Sequence, residues 1–267
     1  VIPWSDEPRD PEHWPVATWA LMLVNVLVAV ATLVRLVQGE NWLDTWALHT
    51  AAPTLATGLT SMVLHAGFGH LFGNLWVLSI YGPNVERRLG PVPFVLLYVT
   101  AGVLSGLAFT LLSLGTRHSV VGASGAISGV LGAYLVFFPG NAIRMIGPMF
   151  IPFRLPAWVV LAAYVVWDNF VPMVWGEGSH VAYGAHLGGF AAGMVLALGV
   201  GMATRAGEVD DAAQGRWDRA ESLWRQGMVV DAHRAMRDLT AGPEPWAARA
   251  KERLTAYEQD PRLRGRL

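Results

Sequence analysis

From Val16 to Val37 the chain runs through 22 residues carrying a single charge, Arg35. At about 1.5 Å of rise per helical residue, about 20 such residues cross a hydrocarbon core of about 30 Å. Five more stretches are of that kind: His70 to Glu86, Pro93 to Gly115, Ala123 to Phe138, Pro156 to Phe170 and Val181 to Thr204. In lipid every backbone N–H and C=O must find a partner within the protein, and long apolar runs without alternation do so as helices. The expectation is an all-α polytopic membrane protein with six transmembrane helices. Composition agrees, with 53% of 267 residues hydrophobic and 15% charged, against roughly 25% charged in a soluble domain. The first segment is too long for a signal peptide and lacks a small-residue cleavage site, so it reads as a start-transfer helix that stays.

Three parts follow. Residues 1–15 are an acidic, Pro-rich cytoplasmic leader, 16–205 the six-helix core, and 206–267 a small soluble helical tail. In the tail charges are dense and apolar residues recur at helical spacing: Trp217, Ala220 and Trp224; Ala232, Ala235, Met236 and Leu239; Trp246, Ala250 and Leu254. Gly227 and Gly242-Pro243 divide it into three helices. Such an appendage has room for a soluble partner of its own.

Arginine in short loops sets orientation. With the N-terminus inside, Arg87, Arg88, Arg144, Arg154 and Arg205 fall on the inner side and Arg35 and Arg117 on the outer. Both termini are therefore expected in the cytoplasm. The loop from Gln38 to Leu64, with Trp42 and Trp46 suited to the interface, is expected outside as a partly inserted loop. Lys is nearly absent while Ala, Gly, Val and Arg abound, a GC-rich bacterial composition that points to a plasma (inner) membrane. A net charge of −1 offers no basic face to nucleic acid. Without cysteine there is no disulfide, thiolate nucleophile or Cys-held metal.

Polar side chains inside a span cost about 2.5 to 3.5 kcal/mol when charged, so they tend to face a bundle interior and to mark function. Here they cluster in three places. His70 and Asn74 stand four residues apart at the opening of the second segment, two donors on one helix face. Ser124 lies in Gly122-Ala123-Ser124-Gly125 at the start of the fourth, where backbone amides without intrahelical acceptors can hold an oxyanion. His186 lies in the sixth, with Gly189 and Gly193 on its face as Gly125 and Gly129 are on that of Ser124. Helices lined by small residues approach until their backbones nearly touch, which would bring Ser124 to the His186 ring. Any one of these signals alone reads as packing or interhelical glue. Together they describe a nucleophile, a base and an oxyanion site.

At these residues the chain resembles the rhomboid family of intramembrane serine proteases. The resemblance rests on His65-x4-His70-x3-Asn74, on Gly-x-Ser-Gly at 122–125, and on Ala185-His186 followed by Gly189-x3-Gly193. Val85-Glu86-Arg87-Arg88-Leu89-Gly90 and the leader's Ile2-Pro3 and Asp6-Glu7 add to it. It spans roughly residues 1 to 200, in the family's order. It implies a six-helix core and a Ser-His dyad without a third acid, cleaving transmembrane segments of membrane-protein substrates in the bilayer with no cofactor. Ser124 would be the nucleophile and His186 the base; His70, Asn74 and the Ser124 amide would hold the oxyanion, and His65 would order the outer loop beside His70.

Two departures stand out. Some members carry Trp-Arg nine and eight residues before the position of His65, where this chain has Ala56 and Thr57. Some have a Tyr four residues after the nucleophile that stacks on the histidine, where this chain has Ser128. Other chemistries do worse. No His-Glu-x-x-His string is present, and His65 and His70 are five apart on divergent faces, so no metal site is expected. Ala126 breaks a Gly-x-Ser-x-Gly elbow. Asp168 reads as a helix-boundary carboxylate without a link to His186. A catalytically dead relative would lack the serine or histidine, and a transporter would show paired inverted repeats.

Overall fold

The computed structural model describes residues 2–7, 14–172, 183–242, 244 and 246–261, except the side chains of residues 149, 168 and 204–211. Residues 8–13 of the leader, Val181 at the start of the sixth apolar segment, and Pro243 lie outside the described residues, as do the side chains of Asp168 and Arg205. The chain divides into two compact units, one up to Leu198 and one from Gly199 on.

In the first unit helix α1 spans Val16–Val37, and two short helices, α2 (Trp42–Thr45) and α3 (Leu55–Thr60), follow in the first long loop. A 3-10 turn, Ser61–Val63, leads to α4 (Phe68–Leu89), α5 (Pro91–Leu112) and α6 (Ser124–Phe137). Then come α7 (Ala157–Val165), a π turn (Val166–Phe170) and α8 (Tyr183–Arg225). The molecule is mostly helical but not all-α. Strand β1 (Ile2–Glu7) pairs antiparallel with β4 (Ala142–Ile146), which pairs with β5 (Pro152–Pro156), and β2 (Leu48–His49) pairs with β3 (Ser119–Val120). Part of the stretch read as a leader is thus a sheet strand, because loop backbone beside it supplies ladder partners.

Helix α1, helix α5 and Tyr183–Ala203 of α8 are each long and apolar enough to cross a membrane. A fourth span exists if Leu55–Val63 and Phe68–Leu89, bent by 89°, count as one. Helix α6 has only 14 residues and α7 only nine. α6 compensates by burial: every residue from Gly125 to Tyr134 is buried, as befits a helix apolar on all sides. Helices α4 and α5 pack on it, and α8 crosses it at glycine. A Cβ at Gly189 would sit on the Gly125 carbonyl oxygen, one at Gly193 on that of Gly129, and one at Gly132 on that of Phe190.

Charge inside the unit is held by specific partners. Glu86, 1% exposed, accepts from the Ala17 and Thr18 amides, each at 2.8 Å, and from the Thr18 hydroxyl at 2.7 Å. A carboxylate of α4 thereby satisfies the opening amides of α1, where the helix dipole also favours it. Asp6 of β1, equally buried, accepts from Asn84 of α4 and, at 2.9 Å, from the Tyr134 hydroxyl of α6. Arg144 and Arg154 face each other across β4 and β5, and Glu7 pairs with both. Gly90 alone joins α4 to α5, at φ +83°, which a Cβ would strain.

The second unit includes the end of α8, α9 (Val229–Leu239) and α10 (Trp246–Glu258). Ala220, Ala232, Met236, Leu239 and Ala250 form its core with Val229 and Tyr257. The Trp224 and Tyr257 rings stack at 3.7 Å. Arg253 donates to both oxygens of Glu221, at 2.5 and 2.8 Å, and the Tyr257 hydroxyl donates at 3.0 Å. The Arg253 hydrogen bonds hold the Glu221 carboxyl below its ordinary range.

Two predictions follow from this packing. Gly193→Leu and Gly132→Val put side chains onto backbone that cannot yield, and overpacking of this kind costs about 1 to 3 kcal/mol. Both should lower the melting temperature in detergent, whereas Gly199→Ala and Gly201→Ala, whose Cβ meets nothing within 4 Å, should not. For Glu221 the depressed pKa means stabilisation present above its unfolded value and lost as pH falls through the folded one. Glu221→Gln should therefore speed hydrogen exchange in α9 and α10 at pH 7, and the difference from wild type should close in acid below the ordinary carboxylate range.

Candidate active site

Three helix starts converge. Ser124 is the first residue of α6, and the first α-helical bond there runs from the Ile127 amide to the Ala123 carbonyl, at 2.9 Å. The Ser124, Gly125 and Ala126 amides precede it and have no intrahelical acceptor. No side chain caps this end. His186 lies in the first turn of α8, and its Nε2 is 2.8 Å from Ser124 Oγ. The glycine crossing explains the approach: with Gly189 against the Gly125 carbonyl, nothing but hydrogen separates the helices one turn beyond the pair. Ser105 of α5 fixes the other side, donating at 2.7 Å to the carbonyl of Ala185, the residue before the histidine.

His70 and Asn74 come from the first turns of α4. The His70 ring lies against Gly122: a Cβ there would meet His70 Cε1 at 2.6 Å and Nε2 at 2.7 Å. Gly122 also has φ +129° and donates to the Ser61 carbonyl at 2.8 Å, so the backbone ahead of the serine is held to the loop before α4. Only glycine meets both demands. Asn74 is 7% exposed, and its Nδ2 has no hydrogen-bond partner among the described residues. His65 is buried with its ring edge-on to His70 at 5.2 Å, and neither of its ring nitrogens has a partner among the described residues. Among those residues no group of three or more His, Cys, Asp or Glu could hold a metal ion.

The loop that lacks Trp-Arg is anchored by other means. Thr54 and Thr57 form a reciprocal capping box at the start of α3, with Thr57 in the place of arginine. Thr60 donates to the Trp46 carbonyl at 2.9 Å, and Thr50 exchanges hydrogen bonds with the backbone of His118 beside the β2–β3 pair.

One contact was not legible in the sequence. Asn169, fully buried in the π turn after α7, places Oδ1 2.8 Å from Nδ1 of His186 and donates through Nδ2 to the Tyr164 carbonyl at 2.8 Å. The available signal was an amide in an apolar segment, beside the more conspicuous Asp168. Ser128, in the position where tyrosine was missed, donates to the Ser124 carbonyl at 2.8 Å and meets the Tyr164 hydroxyl at 2.6 Å.

A serine hydroxyl on an imidazole nitrogen, at a helix start whose first amides have no intrahelical acceptor, is an arrangement able to attack a carbonyl and stabilise the resulting oxyanion. The Rhomboid domain family matches residues 53–203, more than half of the chain and all of this site. The chain belongs to the rhomboid family. YdcA of Bacillus subtilis is 32% identical over 142 residues, 52% of this chain and 64% of that protein. The rhomboid protease GluP of the same organism is 40% identical over 92 residues, 33% of this chain and 18% of its own. Mitochondrial rhomboid protein 1 of Saccharomyces cerevisiae is 32% identical over 136 residues, 49% of this chain and 38% of its own. The matched stretch is thus less than two thirds of each relative's length. Family and apolar helices together make this an integral membrane protein.

Proposed function

We propose that this rhomboid is an intramembrane serine endopeptidase that cleaves transmembrane segments of other membrane proteins through a Ser124–His186 dyad. The contact of 2.8 Å between Ser124 Oγ and His186 Nε2 carries the reading. As the hydroxyl attacks the scissile carbonyl, Nε2 takes its proton and later gives it to the leaving amine; a water then releases the acyl group by the reverse route. The oxyanion is held by the Ser124 amide, His70 and Asn74, whose buried Nδ2, without a partner among the described residues, suits a donor required only in the transition state. His65, Gly122, Gly125 and Gly189 shape the site without touching the reacting atoms. No cofactor is needed.

The six apolar segments cross the membrane with both termini in the cytoplasm, in a bacterial inner membrane. Strand pairing supports this alternation of sides. β1, at the N-terminus, joins β4 and β5 between α6 and α7, while β2, after α1, joins β3 between α5 and α6. Among the described residues, strands in loops assigned to one face pair with each other and with none assigned to the opposite face. Residues 16–205 form the enzyme core to which β1 adds, and 206–267 a soluble appendage that takes its own partner.

Ser124→Ala and His186→Ala should each abolish both fluorophosphonate labelling and cleavage of a single-pass test substrate, and the double variant should be no worse than either, because the two act as one unit. Asn74→Ala should lose about 100 to 1,000-fold in rate. Substantial turnover in either single variant of the dyad would overturn the assignment. Reporters fused after Leu267 and inserted near Ala51 should report the inner and outer sides respectively; the same side for both would sink the topology.

A further inference from the structure

We propose that Asn169 is the positioning residue of His186, holding the ring in the tautomer whose Nε2 is free to accept the Ser124 proton. The proposal rests on the dyad reading above and concerns what orients the base.

A neutral imidazole has one N–H and one bare nitrogen. For Nε2 to act as base toward Ser124, the ring proton must sit on Nδ1, and a buried N–H needs an acceptor. Asn169 Oδ1 is that acceptor, at 2.8 Å, on the opposite edge of the ring from Ser124 Oγ, also at 2.8 Å. The amide cannot turn around without loss. Its Nδ2 donates to the Tyr164 carbonyl, which only accepts, so a flipped amide would set oxygen against oxygen there and NH2 against Nδ1–H here. The tautomer is therefore specified by a chain of obligatory donors and acceptors that ends on backbone.

Local structure serves the same contact. Asn169 lies within the π turn Val166–Phe170, whose extra residue turns its side chain to a direction that α-helical geometry would not give it. It is fully buried, and an amide so placed is costly unless both ends are bonded, as they are. A leucine would fill the same space without that cost, so packing alone does not account for the amide. Tyr164 then ties this arm to the nucleophile: its carbonyl holds Asn169, while its hydroxyl meets Ser128, which in turn donates to the Ser124 carbonyl. Ring and serine are thus fixed to each other through one residue of α7. An amide rather than a carboxylate orients the ring without adding a charge to a low-dielectric bundle.

The test is Asn169→Leu and Asn169→Asp in the full chain in detergent, with 15N-histidine spectra and fluorophosphonate labelling rates. In the wild type the His186 signal, identified by its loss in His186→Gln, should show Nδ1–H. In Asn169→Leu it should become a tautomer mixture, and the maximal labelling rate should fall about 100-fold, the usual effect of misplacing a reacting group by about 1 Å, with the probe's half-saturating concentration unchanged. Asn169→Asp keeps an acceptor for Nδ1–H but sets a second oxygen against the Tyr164 carbonyl, so it should retain the Nδ1–H signal while recovering only part of the rate. An Nε2–H signal in the wild type overturns the proposal, as does a leucine variant with wild-type spectrum and rate. The wild-type spectrum decides even if the leucine variant fails to fold. A wild type that labels at Ser124 yet cleaves no membrane substrate would count against proteolysis, while the spectra would still judge Asn169.

Discussion

A serine on one helix and a histidine on another can meet at 2.8 Å only if the helices themselves nearly touch, and in this protein that approach is made by glycine. Gly189 and Gly193 of α8 lie against the carbonyls of Gly125 and Gly129 on α6, Gly132 of α6 lies against the Phe190 carbonyl, and a Cβ at Gly125 or Gly129 would strike Ser105 or Ala101 of α5. Such a seam offers little hydrophobic gain in lipid; it is held by close van der Waals packing and by hydrogen bonds at its edges. The hydroxyl of Ser105, on the Ala185 carbonyl, is one such bond, tying α5 to α8; that of Ser128 bonds the Ser124 carbonyl within α6 itself. Geometry at the serine is thus a product of backbone contact, which is stiffer than contact between long side chains.

Around that seam, the buried carboxyl groups of Glu86 and Asp6 are placed away from the candidate chemistry. Glu86 lies near the end of α4 opposite His70 and Asn74, and ties α4 to α1. Asp6 ties β1 to α4 and to Tyr134, in the last turns of α6, far along the helix from Ser124. The groups that gather at the opening turns, by contrast, are histidines, amides and a serine. Polar side chains there can be buried without a compensating ion pair, and their hydrogen bonds are directional.

Much of this could be read from the sequence, because apolar length and small-residue spacing are local signals. The stretches starting at Val16, His70, Pro93 and Ala123 all became helices, and the spacing of Gly125, Gly129, Gly189 and Gly193 described the crossing that is seen. What escaped was non-local or off-period. β1 depends on a strand more than 130 residues away, so Ile2–Glu7 read as a leader. The fifth apolar segment is a nine-residue α-helix continued by a π turn, a change of period that a 3.6-residue pattern cannot register. Asn169 was hidden for that reason: its partner is set by the π turn, while the adjacent carboxylate of Asp168 drew notice as the stronger chemical group. The substitution of Ser128 for tyrosine looked like a loss of ring support, and only the fold reveals the Tyr164 hydroxyl meeting Ser128 from another helix.

The shortness of α6 has a consequence for the surrounding lipid. Its 14 residues rise about 21 Å, some 9 Å less than a hydrocarbon core of about 30 Å. Were α6 exposed to acyl chains, the bilayer would have to thin to match it. Buried along Gly125–Tyr134, α6 meets α4, α5 and α8 instead of acyl chains, so the missing length is a matter for the protein's own packing and not for bilayer thickness. What its first turn meets is polar: Ser124, at the helix start, has the His186 ring nitrogen at 2.8 Å, a neighbour that lipid could not supply.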